Sequence, residues 1–141
     1  MDGRTAVDAV LEGYAAAVLA KDRDGLVAHY SDDARVFDLW STWSYEGRES
    51  WQGAIDEWFG SLGDQEVHVG FDDVRSVVTD DLATVSAIIT YREVDDGGAM
   101  RDSLQNRLTW VLRRSGDTWR IIHEHTSAPI DGGTMKVILQ R

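Results

Sequence analysis

The spacing of apolar residues changes once along the chain. Val7, Val10, Leu11, Tyr14, Ala15, Val18 and Leu19 recur at the i, i+3, i+4, i+7 intervals of one helical face. They predict a first helix with Tyr14 inside its buried stripe, and Thr5 and Asp8 stand where a capping pair would open it. "KDRDG" interrupts that pattern, and Leu26, Val27 and Tyr30 suggest a short second helix ended by the turn-like "SDDA". Arg35 to Trp40 then reads as a strand. Trp51, Ile55, Trp58, Phe59 and Leu62 return to helical spacing between Gly47 and Gly63, which predicts a third amphipathic helix.

Beyond Glu66 the period is that of strands. Four β-rich runs, Val67 to Val78, Leu82 to Val94, Leu104 to Arg113 and Trp119 to Thr126, are separated by "TDD", "DDGG" and "SGD". Turns this short join antiparallel neighbours, because a parallel pairing needs a long crossover. Helices first and a β-meander second define an α+β domain in which one curved sheet wraps around a few helices. The whole chain, 1–141, is expected to form a single domain, and its end, 128–141, with Gly132 and Gly133, is either a tail or a short extra strand.

Charge narrows the partners. Twenty-five acidic against fourteen basic residues leave a net charge of -11, which repels phosphate backbones, so neither nucleic acid nor an anionic membrane is an expected partner. The N-terminal stretch carries acids where a secretory signal needs basic residues, and no apolar run is long enough to span a bilayer. There is no cysteine, hence no disulfide, thiol nucleophile or thiolate metal site. The expectation is a cytoplasmic protein.

Three places in the sequence invite chemistry. In "RIIHEHTSAP", strict alternation puts Trp119, Ile121, His123, His125 and Ser127 on one face and Arg120, Ile122, Glu124 and Thr126 on the other. The histidine face is the more apolar, so both imidazoles are expected at the inner surface of the sheet or at a covered interface. A metal site would need a third ligand, for which Asp38 is the candidate; the spacing does not require it, and no metal is expected. Asp38 itself lies in "RVFDLWS" with apolar Val36 and Trp40 on its face, which favours a poorly hydrated pocket where the carboxylate becomes a stronger base. Trp40, Trp43, Trp51 and Trp58 gather near the presumed mouth; Trp40 and Trp58 are taken as pocket liners, Trp51 and Trp110 as packing residues.

"YAAAVLAKDRDGLVAHYSDDARVFD" resembles the start of the ketosteroid isomerase and SnoaL-like branch of the nuclear-transport-factor-2-like superfamily. "RLTWVLRRSGDTWRIIHEHTSAP" resembles the C-terminal signature of SnoaL-like proteins and of the calmodulin-dependent kinase II association domain. The resemblance implies a cone-shaped sheet around three N-terminal helices (the cystatin-like roll), a homodimer, and no cofactor. It places the catalytic tyrosine and general-base aspartate of ketosteroid isomerase on Tyr14 and Asp38. It also implies that Arg107 and Thr109, the R-x-T pair, line the cavity, whereas alternation alone puts Leu104, Asn106, Leu108, Trp110 and Leu112 inside. The strand from Leu104 to Arg113 lacks the protonated acid of the isomerase oxyanion hole, which speaks against steroid isomerisation by that route.

Two functional expectations follow. In the first, the protein binds a small, largely apolar molecule and acts as an isomerase, cyclase or lyase, with Asp38 abstracting a proton and Tyr14, His123 and Arg107 stabilising the oxyanion. Trp40, Trp58, Thr109 and His125 would complete the binding site. In the alternative, the same fold is a non-catalytic ligand-binding or association module.

Overall fold

A computed structural model describes residues 2–141. Helix α1 (Gly3–Ala20) is followed by α2 (Arg23–Val27), β1 (Tyr30–Phe37), β2 (Tyr45–Glu46), α3 (Arg48–Ser61), β3 (Glu66–Val78), β4 (Leu82–Val94), β5 (Met100–Ser115) and β6 (Thr118–Ser127). The strands form one open, curved sheet in the order β2-β1-β6-β5-β4-β3, so the meander β3 to β6 is extended at one side by the first two strands. The fold is the α+β roll expected from the sequence, with one pair, β1 and β6, running parallel. That pairing joins segments far apart in the chain, so no tight turn constrains its direction.

Helix α1 begins a little earlier than the Thr5–Asp8 reading implies. Asp2 is the N-cap, and its carboxylate accepts the Thr5 amide over 2.9 Å, which satisfies one of the helix's free N–H groups. The helix stops at Lys21, whose left-handed backbone (φ 52°) lets its amide bond back to the Ala17 and Val18 carbonyls. Val7, Val10, Leu11, Tyr14 and Val18 are buried against the inner face of the sheet, where Val85, Leu108, Trp110, Leu112 and Ile121 come from β4, β5 and β6.

"SDDA" is not a turn. It lies within β1, whose register against β6 shifts between Tyr30 and Arg35, so Ser31 to Asp33 bulge outward instead of burying their polar groups. Arginines offset the charges there: Arg48 pairs with Asp32, and Arg113 lies 3.5 Å from Asp33. Helix α3 then crosses the open end of the cone after Gly47, whose φ of 89° turns the chain in a way a side chain would oppose.

The C-terminal residues fold back on themselves and beside the sheet without forming a further strand. A turn at Asp131 accepts the amides of Gly133 and Thr134, and Ile130 bridges Val137. Gln105 then donates its amide to the Leu139 carbonyl over 2.7 Å, and Arg141 donates to Gln105 Oε1. The segment thus lies beside β5 where β6 has already ended, tied to it by these bonds and not by a strand ladder.

Candidate functional site

The concave side of the sheet, α1 and α3 enclose a cavity of about 470 Å³. The antiparallel register of β4 and β5 sets its wall in rows, each about 6.6 Å from the next along the strand. Glu93 and Asp102 face each other at the outermost row, Tyr91 and Leu104 form the next, and Ile89 and Asn106 the one after. Leu108 pairs with Thr126 of β6 one step further in, and Trp110 pairs with Glu124 deeper still. Asp38, just past the end of β1, accepts from Thr126 Oγ1 over 3.2 Å and so joins the Thr126 row.

Glu124 is the most constrained of these groups. It is 2% exposed, and its Oε1 accepts from the Tyr30 hydroxyl at 2.5 Å and from Trp110 Nε1 at 2.8 Å. Both bonds fall on one oxygen, which leaves Oε2 as the edge turned to the cavity that Glu124 lines. Burial pushes its carboxyl up to about 7, the Tyr30 and Trp110 bonds hold it from rising further, and the Asp38 charge adds to the upward shift. Asp38 is also raised by burial, against the opposing pull of the Trp40 amide and the Thr126 hydroxyl.

Tyr14 on α1 and Tyr91 on β4 join their hydroxyls at 2.9 Å. Burial raises both well above the ordinary tyrosine range, so both stay protonated. One of the two protons is spent on the mutual bond; the other remains to be donated to a guest. Tyr14 is fixed by edge-on contacts with Phe71 and Trp110, at 6.1 and 5.5 Å between ring centroids.

Tyr14, Asp38, Trp40 and Trp58 are thus brought together on the cavity, while four other candidates lie outside it. His123 and His125 are on the convex face, where Phe37 stands edge-on to both, with ring centroids 5.0 and 5.5 Å away. His123 Nδ1 lies 2.8 Å from the Arg35 carbonyl oxygen. The reason is a bulge: Val111 pairs with His123 but Leu112 pairs with Ile121, so Ile122 is an extra residue and the alternation changes parity there. Trp119 and Ile121 face inward, and beyond the bulge so do Glu124 and Thr126, not the histidines. The sheet therefore separates both imidazoles from Asp38, and the three do not form a metal site. Arg107 and Thr109 also face outward, with Arg107 Nε donating to Ser127 Oγ at 3.0 Å. Here alternation, which puts Leu104, Asn106 and Leu108 inside, prevails over the resemblance.

Trp51, assigned to packing, both packs and lines the cavity; Trp110 is buried and holds Glu124; Trp43 is 96% exposed. The residues missed by sequence reasoning are Glu124, Tyr91 and the Glu93–Asp102 pair. Tyr91 and Glu93 were within reach, since Ala83, Val85, Ala87 and Ile89 set an inward period of two that continues through both. For Glu124 the one available signal is the adjacent Ile121 and Ile122, where an apolar pair breaks the alternation.

A curved sheet closed by helices over a cavity with convergent polar groups defines a class of small-molecule-binding domain. The model of the SnoaL-like domain family matches residues 7–131, and the chain belongs to that family. No curated protein matches the sequence. Among solved structures, the chain is similar to an NTF2-like protein of unknown function from Pseudomonas putida, with a TM-score of 0.85 and 24% identity over 100% of this chain and 98% of that one. It is also similar to Aln2 from a Streptomyces species (TM-score 0.78, 16% identity, 88% of each chain). A third is an NTF2-like protein with a cystatin-like fold from Novosphingobium aromaticivorans (TM-score 0.74, 18% identity, 93% of this chain and 84% of that one). At these identities the likeness establishes the fold. Among the described residues, no helix is long and apolar enough to cross a membrane.

Proposed function

We propose that the cavity performs cofactor-independent acid–base chemistry on a small, largely apolar molecule, as an isomerase, cyclase or lyase. The observation that carries this reading is that two carboxyl groups with raised proton affinity, Asp38 and Glu124, serve one aromatic-walled cavity, Glu124 being poised near neutrality. Below about pH 7 Glu124 holds a proton and serves as the acid, which leaves Asp38 as the base. Asp38 takes a proton from a carbon acid, the free hydroxyl proton of the Tyr14–Tyr91 pair is donated to the oxyanion that develops, and Glu124 returns a proton to the product. His123 and Arg107 have no part in this scheme.

Proton abstraction is read by solvent exchange. A panel of small enolisable ketones incubated in D2O with the wild-type protein is expected to gain deuterium at the α-carbon, with the rate falling about 10²-fold or more in Asp38→Asn. Binding without exchange, with affinity unchanged in Asp38→Asn, would replace this reading by the non-catalytic one.

A further inference from the structure

The cavity is lined by five carboxyl-bearing residues, Asp38, Glu57, Glu93, Asp102 and Glu124, and among the described residues no lysine, arginine or histidine lines it. Every ion pair in the described structure lies elsewhere, on Arg23, Arg35, Arg48, His68, Arg75, Arg101 and Arg113, so none of the five is neutralised by a protein cation. Glu93 and Asp102 moreover sit directly opposite each other across two antiparallel strands, where like charges destabilise the pair. A second, independent feature is Asn106. It is 7% exposed, lines the cavity between the mouth pair and the Asp38 row, nearer the latter, and its Oδ1 has no hydrogen-bond partner. A buried acceptor without a donor carries a desolvation penalty that a guest can remove.

We infer that the guest is a small organic cation: an aromatic or alicyclic body bearing a protonated amine. The ammonium nitrogen donates to Asn106 Oδ1, one row from Asp38 and two rows from the Glu93–Asp102 pair. An ammonium group suits the place because it has donors and no acceptor, and because it relieves the carboxylate repulsion on both sides. The body lies against Tyr45, Trp51 and Trp58, whose ring faces favour a nearby positive charge. The acids at the mouth also raise the local concentration of cations and exclude anions. This inference rests on the cavity being the working site and names the class of molecule it takes; a cation beside Asp38 would keep that carboxylate ionised and ready as the base.

The test is calorimetric titration of the full-length protein at neutral pH with three probes sharing one indole body: tryptamine as cation, tryptophol as neutral analogue and indole-3-acetate as anion. Tryptamine is expected to bind about tenfold more tightly than tryptophol, with the anion weakest. The preference should shrink in about 0.5 M salt and in the Glu93→Gln/Asp102→Asn double variant, which alters only the mouth. Asn106→Leu should fold at least as well as wild type, since it removes an unsatisfied polar atom, and should lose tryptamine affinity while retaining that for tryptophol. Equal or tighter binding of tryptophol, binding of the anion, or no binding by any probe would overturn the inference. Deuterium exchange with the neutral ketones would still report on the acid–base reading, so the two can fail separately.

Discussion

Tyr30 donates its hydroxyl proton to Glu124 across 94 positions of sequence, at 2.5 Å, in a fully buried environment. The bond ties the first residue of β1 to the middle of β6 and fixes the carboxyl whose second oxygen faces the cavity. Stability and the proposed chemistry meet in this contact, because the same burial that raises the Glu124 carboxyl also makes its ionisation costly.

That cost has a definite sign. Glu124 titrates at about 7 in the fold and at the ordinary 4.5 when unfolded, so between these values the folded chain holds a proton that the unfolded chain has released. The native state therefore loses stability as pH rises from 4.5 through 7, and the loss is complete above that window. The shift corresponds to about 3 kcal/mol. Denaturant unfolding across this range should show a decline in wild type that is absent in Glu124→Gln, after other titrations common to both are subtracted. In the exchange assay, the same substitution should remove the limb of the pH profile near 7.

Tyr30→Phe separates the hydrogen bond from the packing. The hydroxyl favours the ionised form of Glu124, so its removal pushes that carboxyl further up. A bond to a charged buried group is worth roughly 2 kcal/mol, and less when the acceptor is neutral. The variant should thus be destabilised by about 2 kcal/mol at about pH 8 and by clearly less at about pH 5, measured by urea unfolding. An equal loss at both pH values would mean that Glu124 is already protonated throughout.

Much of this architecture is legible in the sequence, for physical reasons that can be named. Tyr14 sits in an unbroken helical stripe, and Asp38 shares the face of Val36, so their inward placement follows from periodicity alone. Leu104, Asn106 and Leu108 obey the same rule on β5, where alternation was a better guide to Arg107 and Thr109 than family resemblance. Periodicity fails where the backbone inserts a residue. The bulge at Ile122 reverses the parity of β6, exchanging His123 and His125 for Glu124 and Thr126. The bulge in β1 lets "SDDA" sit inside a strand. Strand register, which opposes Glu93 to Asp102, is a tertiary property that one strand's sequence does not encode.

The displaced histidine gives a direct check. His123 reaches the Arg35 carbonyl and the Phe37 ring, both on the convex side of the sheet. His123→Gln should alter the proposed exchange activity by less than about threefold, while loss of the hydrogen bond costs about 1 kcal/mol in stability. A fall in turnover of about 10²-fold with unchanged stability would return the imidazole to the chemistry.

Thr126 positions the proposed base without touching a guest. Its hydroxyl accepts the Leu39 amide at 2.8 Å and donates to Asp38 Oδ1, which orients the carboxylate and holds the chain as it leaves β1. Since that donation favours ionised Asp38, Thr126→Val should raise the Asp38 carboxyl and shift the acid limb of the exchange profile to higher pH. It also leaves the Leu39 amide without its partner, at a cost of about 1–3 kcal/mol. Thr126→Ser keeps the hydroxyl and should restore the position of the acid limb even where stability is only partly recovered. Carboxyl NMR titration of wild type and both variants measures the Asp38 shift directly. An Asp38 titration that is the same in all three would show that Thr126 acts on the fold alone.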